Sequence, residues 1–343
     1  MSRRGPTLED VARHAGVSRA TVSRVVNGIR NVDPDIQELV RHAIEQTGYR
    51  PNRAARSLVT QRTETVALII SGAGDTFASR VFADPFFGRV VSGVVGYLRT
   101  HAMHPVLLVA ESDAAREQVV DYLSQGTADG ALVVSIQAAD PLPGMLTAAR
   151  IPVVLFARPG EETEGPQAVS YVDVAHAEGA RLAAEHLLAR GCRRIATISA
   201  PQSIPAARDR LDGFRAALAS AGVADVPVAE GNFTVESGAA AMAELLRDHP
   251  DVDGVFAAND LMAQGACQLL REQGRRIPRD VAVIGFDDSS VAMTCRPPLT
   301  TVRQPVEKMA GAMARLLSEQ IQGMHPQPVS VLFDAELVVR ESA

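Results

Sequence analysis

The sequence predicts an α/β protein: a small all-α head over residues 1–49, then two doubly wound lobes of parallel sheet over residues 63–343. Three observations point there. The head carries three amphipathic helical patterns and no strand pattern. From Thr65 onward, short Val/Ile/Leu runs alternate with helical patterns, as strands buried on both faces of parallel sheets require. Eight such runs exceed one ordinary open sheet, and two lobes accommodate them.

The head opens with "TLEDVARHAGVSRATVSRVVNG". Thr7 is a good N-cap, and Asp10 stands three residues later, where a short acid reaches back. Leu8, Val11, Ala12 and Ala15 share one helical face. Gly16 ends that helix, and Ser18 caps a second one beginning at Arg19. On the second helix Val22, Val25 and Val26 face inward. Arg19, Ala20, Ser23 and Arg24 face outward. Two helices joined by a glycine turn of this length form a helix-turn-helix, whose second helix enters the major groove of DNA. Small side chains let a helix sit deep there, and arginine can bond guanine bidentately. Ser18, Arg19, Ala20, Thr21, Ser23 and Arg24 are therefore the candidate base-reading set. A third helix follows Asp33 and Pro34, with Ile36, Leu39, Val40, Ala43 and Ile44 as its expected buried face. The same pattern would also fit a plain three-helix bundle.

Charge supports a polyanion partner. Residues 1–62 hold 11 arginines, no lysine and 6 acids, a net +5, which leaves −11 for the remainder of a chain whose total is −6. No apolar run approaches the roughly 18–20 residues of a membrane span, and no apolar segment follows the N-terminal arginines. The three cysteines, Cys192, Cys267 and Cys295, lack metal-site or disulfide-framework spacing. The expectation is a soluble, cytoplasmic protein without metal or other cofactor.

The strand candidates in the body are residues 65–70, 105–110, 130–135, 152–156, 193–199, 227–231, 254–258 and 281–286. In open α/β sheets ligands bind beyond the carboxyl ends of strands. Asn259 and Asp260, after "GVFAA", and Asp287 and Asp288, after "VAVIGF", are therefore ligand-site candidates. "LIISGAG" resembles the start of a dinucleotide fingerprint but lacks the third glycine. There is no G-x-S-x-G, H-E-x-x-H or P-loop, so no enzyme signature stands out.

Several blocks together resemble the lactose-repressor (LacI/GalR) family of bacterial transcriptional regulators. They are "TLEDVARHAGVSRATVSRVVNG", "YRPNRAARSL", "DPFFGRVVSGV", "RLDGFRAAL", "VFAANDLMAQG", "DVAVIGFDD" and "PPLTTVRQP", in the family's order along the whole chain. The resemblance implies a periplasmic-binding-protein type I fold for the body, with a small effector between the lobes. It implies that residues 50–62 are a hinge that becomes helical on DNA over about Asn52–Val59, with Pro51 at the helix start. Leu58 would wedge into the minor groove, and Arg53 and Arg56 would lie near phosphates or the groove floor, with Asn52 and Ala55 in the same segment. It implies effector contacts from Arg210, Asn259 and Asp287 and aromatic lining from Phe86, Phe87 and Phe233. It implies lobe crossings near 158–162, 288–293 and 322–326. The N-lobe would then hold about 63–160 and 292–323, and the C-lobe about 161–291 and 324–343.

Two departures from relatives matter. Ile204 stands where the purine-responsive branch has an arginine, and Phe156 stands where several members bind effector with an aspartate. A carbohydrate, even an oligosaccharide, is the leading effector. The resemblance also implies a homodimer on a pseudo-palindromic operator. The expected function is a repressor of carbohydrate-utilisation genes. The alternatives are a solute-binding protein without a DNA role, or a regulator answering to a nucleoside or other non-sugar metabolite.

Overall fold

The computed structural model describes residues 5–26, 32–49, 62–74, 77–135, 139–159, 169–325 and 327–343. The chain divides into two compact units, Met1–Glu64 and Thr65–Ala343.

In the first unit, α1 (Leu8–Ala15) begins with a reciprocal cap. Thr7 N–H and its hydroxyl donate to Asp10 Oδ2 at 2.9 and 2.8 Å, and Thr7 Oγ1 accepts from Asp10 N at 3.4 Å. Gly16, at φ 66°, closes the helix in the left-handed region that glycine adopts without a Cβ clash. Ser18 Oγ accepts from Thr21 N at 3.1 Å and so starts α2 (Arg19–Val26). Asp33 Oδ1 accepts from Asp35 N at 2.9 Å and starts α3 (Pro34–Thr47). Val11, Val22 and Val40 are fully buried where the three helices meet, with Leu8, Val25, Val26, Ile36 and Ile44 packed around them. Leu39 departs from the sequence expectation, being 52 % exposed. The inward stripe of α3 is centred on Val40, and Leu39 lies about 100° away from it on the helical wheel.

The second unit contains two six-stranded sheets. In chain order its elements are β1 (Thr65–Ser71), α4 (Phe77–Ala83), α5 (Pro85–Thr100), β2 (His104–Ala110), α6 (Asp113–Ser124), β3 (Ala131–Ser135), α7 (Leu142–Ala148), β4 (Val153–Phe156), β5 (Ser170–Val174), α8 (His176–Ala189), β6 (Ile195–Ser199), α9 (Pro205–Ser220), β7 (Val228–Glu230), α10 (Val235–Asp248), β8 (Gly254–Ala257), α11 (Asp260–Glu272), β9 (Ala282–Asp287), α12 (Ser290–Thr294), β10 (Thr300–Arg303), α13 (Val306–Ile321), β11 (Ser330–Phe333) and β12 (Glu336–Val338). The N-lobe sheet runs β11-β5-β4-β3-β1-β2, all parallel. The C-lobe sheet runs β12-β10-β9-β8-β6-β7, parallel except for β12.

Strand alternation explains why each sheet is covered on both faces. Val66, Leu68 and Ile70 of β1 join the core under α4, α5 and α13, while Ala67 and Ile69 join the opposite core under α6 and α7. In the C-lobe, Val255 and Phe256 of β8 divide in the same way between the α10–α11 side and the α8–α9 side. Helices α10 and α11 touch at glycines. A Cβ on Gly265 would lie 1.9 Å from Val235 O, and one on Gly238 would lie 2.2 Å from Met262 O.

All eight sequence-predicted strands are present, and four more were not expected. Those four move the lobe boundaries. The first crossing does not fall near 158–162, because β5, later in the chain, still pairs with β4. The chain first crosses between Val174 and His176. The predicted crossing near 288–293 stays in the C-lobe, because β10 pairs with β9, and the crossing falls between Arg303 and Val306. The one expected near 322–326 falls between Phe333 and Glu336, because β11 extends the N-lobe sheet beside β5. The N-lobe is thus 65–174 with 306–333, and the C-lobe 176–303 with 336–343.

Candidate functional site

A cavity of about 520 Å³ opens between the lobes at the carboxyl ends of their strands. Aromatic rings cluster on one side of it, and polar groups come from both lobes. The N-lobe presents Phe77, Phe86, Phe87, Val134, Leu155 and Phe156, together with Asp84, Asp140, Arg158 and Asp173. Phe86 meets Phe87 edge-on at 5.2 Å between ring centroids and Phe156 edge-on at 5.4 Å, the T-shaped geometry that aromatic quadrupoles favour. The C-lobe presents Arg210, Asn232, Phe233, Thr234, Glu236, Asn259 and Asp287.

Arg210 organises the polar groups. It projects from α9 and is almost wholly buried. Its guanidinium carbon lies 3.7 Å from the centre of the Phe286 ring, Nη1 donates to Ala258 O, and Nε donates to His176 Nδ1 at 3.2 Å. Burial pulls its pKa down, while Asp287, Asp173, Asp260 and Asp84 push it back up. Arginine stays charged through such shifts. His176, the first residue after the first crossing, is held neutral by burial and by the Arg210 charge. Since its Nδ1 accepts from Arg210, the proton sits on Nε2, which faces Asp173 Oδ1 at 3.2 Å. Burial raises the Asp173 carboxyl, but His176 and the amides of Val174 and Arg158 outweigh it and hold the pKa below its ordinary value.

Asp287 sits at the end of β9, with φ 113°, a backbone state that costs a non-glycine residue about 1–3 kcal/mol. Gln304 Nε2 donates to its Oδ1 at 2.6 Å. Burial drives the Asp287 carboxyl well above its usual range, against the pull of Arg210. Behind it, Asp260 accepts from Thr301 Oγ1 at 2.6 Å and from Ser289 N and Oγ at 2.7 and 3.0 Å, and burial raises its pKa to about 7. Asp84 caps α5 through Phe86 N at 2.9 Å, and burial raises it too. Asn259 caps α11 through Met262 N at 2.9 Å and donates to Phe233 O at 3.2 Å. Asp140, on the N-lobe side, receives Arg116 Nε and Leu142 N, both at 3.1 Å, on Oδ1; its Oδ2 is buried without a partner.

All six residues expected to contact an effector, Phe86, Phe87, Arg210, Phe233, Asn259 and Asp287, line this one cavity, as do Ile204 and Phe156. Sequence reasoning missed Asp84, Asp140, Asp173, His176 and Gln304, which also line it. In the head, Ser18, Arg19, Ala20 and Arg24 are exposed and Thr21 and Ser23 half-exposed on one side of α2. Arg19 pairs with Glu9 at 3.3 Å, an exposed and weak contact. Asn52, Arg53, Ala55, Arg56 and Leu58 lie outside the described residues. Among the described residues no His/Cys/Asp/Glu cluster is arranged for a metal ion, and no helix is long and apolar enough to cross a membrane.

Residues 7–52 match the bacterial regulatory proteins of the lacI family, and residues 184–343 match a periplasmic binding protein-like domain. The chain is 47 % identical over 342 residues to the HTH-type transcriptional regulator CelR of Thermobifida fusca, covering 99 % of each chain. The chain belongs to the lacI family. Like other members of that family, it is a DNA-binding transcriptional regulator. Among solved structures, a complex of the transcriptional regulator CelR with cellobiose matches at 45 % identity and a TM-score of 0.77, over 98 % of this chain and 100 % of that one. A lac repressor dimer bound to operator and the anti-inducer ONPF matches at 26 % identity and a TM-score of 0.83, over 99 % of both. The lacI-family body thus has the two-lobed fold that its sequence blocks imply.

Proposed function

We propose that this lacI-family regulator is a cytoplasmic, dimeric repressor that releases its operator when a neutral sugar of about two rings enters the interlobe cavity. An aromatic cluster facing polar groups drawn from both lobes carries the reading. The rings suit the flat hydrophobic faces of a sugar, and the carboxylates, amides and guanidinium groups suit its hydroxyls. Asp84, Asp173 and Asp287 surround Arg210, and Arg158, which also lines the cavity, is already paired with Asp209 at 2.7 Å, so a phosphorylated or carboxylated ligand would add unpaired negative charge. Similarity to a regulator whose solved complex contains cellobiose supports a disaccharide of that type.

On the DNA side, Ser18, Arg19, Ala20, Thr21, Ser23 and Arg24 would read the major groove. Asn52, Arg53, Ala55 and Arg56 would follow the phosphates of the adjoining minor groove, with Leu58 wedged between base steps. A two-fold protein matches a pseudo-palindromic operator, and the similarity to an operator-bound lac repressor dimer supports that assembly.

The test is operator binding by fluorescence anisotropy, using the DNA upstream of the gene and the full-length protein. Cellobiose should weaken binding by about tenfold or more, and glucose 6-phosphate should not. Release by adenosine but not by any neutral sugar would replace this reading with the nucleoside alternative.

A further inference from the structure

We propose that Arg89, which does not line the sugar cavity, is the positioning residue that passes the state of Asp287 to the α5–α13 helix pair. This inference rests on the ligand reading above.

Asp287 faces two ways. Its carboxyl lines the cavity and takes Gln304 Nε2 on Oδ1. Its carbonyl accepts Arg89 Nη1 at 2.8 Å, a bond from the N-lobe to the end of a C-lobe strand. A non-glycine residue at φ 113° keeps that geometry only while its surroundings hold it. Gln304 and Arg89 are two of the holders.

The remaining donors of Arg89 fix its own place. Nε and Nη2 make a fork on Glu307 at 2.7 and 2.9 Å, and Nη2 also donates to Gln304 O at 3.2 Å. Gln304 lies in the second crossing between lobes, so a closed loop forms. Arg89 holds Asp287 O and Gln304 O, and the Gln304 side chain holds the Asp287 carboxylate. Four such bonds, two of them a fork on one carboxylate, need the five donors of a planar guanidinium, whereas an ammonium has three.

Arg89 and Glu307 also belong to one block. A Cβ on Gly93 of α5 would lie 2.4 Å from Glu307 O and 2.7 Å from the Ala310 methyl, so α5 and α13 pack backbone to backbone. A sugar hydroxyl that bonds the Asp287 carboxyl competes with Gln304 for it. The loop must then readjust, and Arg89 converts that into a load on α5 and α13. Arg89 itself borders a separate shallow cleft with Gly88, Ser92, Asp288, Ser290 and Glu307, away from the ligand.

The experiment measures two affinities for Arg89→Met and Arg89→Lys in the full chain: cellobiose without DNA, by calorimetry, and operator with and without saturating cellobiose. Arg89→Met should keep sugar affinity within about threefold, while the ratio of the two operator affinities falls about fivefold. Arg89→Lys, with one point charge in place of a fork, should recover only part of that ratio. An unchanged ratio in Arg89→Met overturns the proposal. So does a loss of sugar affinity as large as the loss of coupling, since Arg89 would then act as a pocket residue. Hydrogen exchange on the sugar-free protein supplies a second readout. Arg89→Met should speed exchange at residues 287–289 and 304–307 while the C-lobe strands stay protected, and uniform or unchanged exchange overturns the proposal. Wild-type protein indifferent to cellobiose would defeat the sugar reading alone, and the exchange pattern would still decide the role of Arg89.

Discussion

The two lobes are built on equivalent sheets yet bring different groups to the cavity: the N-lobe supplies most of its rings, and the C-lobe its buried guanidinium and amides, with carboxyls from both. In the N-lobe, the positions beside the strand ends are filled by phenylalanines packed edge to face, and Phe156 closes the end of β4 with an apolar ring. In the C-lobe, the strand ends deliver Asn259 and Asp287, and α9 drives Arg210 between them. The same topology can thus supply ring surface from one lobe and hydrogen-bond direction anchored on the other. Affinity and selectivity should therefore divide between the rings and the polar groups: loss of a ring should weaken binding, and loss of a polar group should change what binds.

The sharpest way to break that division is Arg210→Met. It removes a buried cation whose charge stabilises the Asp84 and Asp287 carboxylates, and the expected loss is about 3–5 kcal/mol of stability, read by denaturant unfolding. Cellobiose affinity should fall about 100-fold or more by calorimetry, since the hydroxyl partners lose their organising charge. A variant that folds and binds normally would show that the polar groups are incidental. The next largest effect tests the rings. Phe86→Ala should lower disaccharide affinity about tenfold and glucose affinity by only about half of that in free-energy terms, because the ring's apolar area matters most to the larger ligand. Equal losses for both sugars would place Phe86 outside the second-ring contact. The smallest effect concerns Asp260, which stands behind Asp287. Its folded pKa of about 7 lies above that of the unfolded chain, so the folded state keeps a proton that the unfolded state has released between about pH 4 and 7. Its contribution to stability is therefore fully present at low pH and is lost as pH rises through that window. Asp260→Asn should flatten the decline in melting temperature across it by about 2–4 °C. An identical slope would show that Asp260 is already ionised in the folded chain.

Much of this arrangement was legible in the sequence, and three of the missed cavity residues share one cause. The eight strands rich in Val, Ile and Leu were visible because burial on both faces leaves long apolar runs. The four unseen ones, "SYVDV", "TTVR", "SVLF" and "ELV", are short, mix polar with apolar residues, or lie toward a sheet edge, where one face needs less apolar cover. Missing β5 hid Asp173 and His176, which stand at its carboxyl end, and missing β10 hid Gln304. The rule that ligands gather at strand ends located Asn259 and Asp287 for the same reason that it failed there: it needs the strand first. Phe86, Phe87, Phe233 and Arg210 came from the family resemblance, since no local pattern distinguishes a cavity phenylalanine from a core one. Leu39 was misplaced because helical periodicity gives the direction of a buried stripe better than its width.

Neither lobe is a continuous piece of chain. The N-lobe interior includes Met309, Met313 and Leu317 of α13, and its sheet ends in β11, so a gap remains under β3 and β4 until more than 300 residues exist. The C-lobe takes β12 and the buried Ala343 from still later in the chain. During synthesis, therefore, both half-built sheets must wait, apolar faces open, for segments that emerge well after the strands they complete. A growing polypeptide of this design exposes those faces until the late segments arrive, and chaperone supply should bear on its yield as well as final stability.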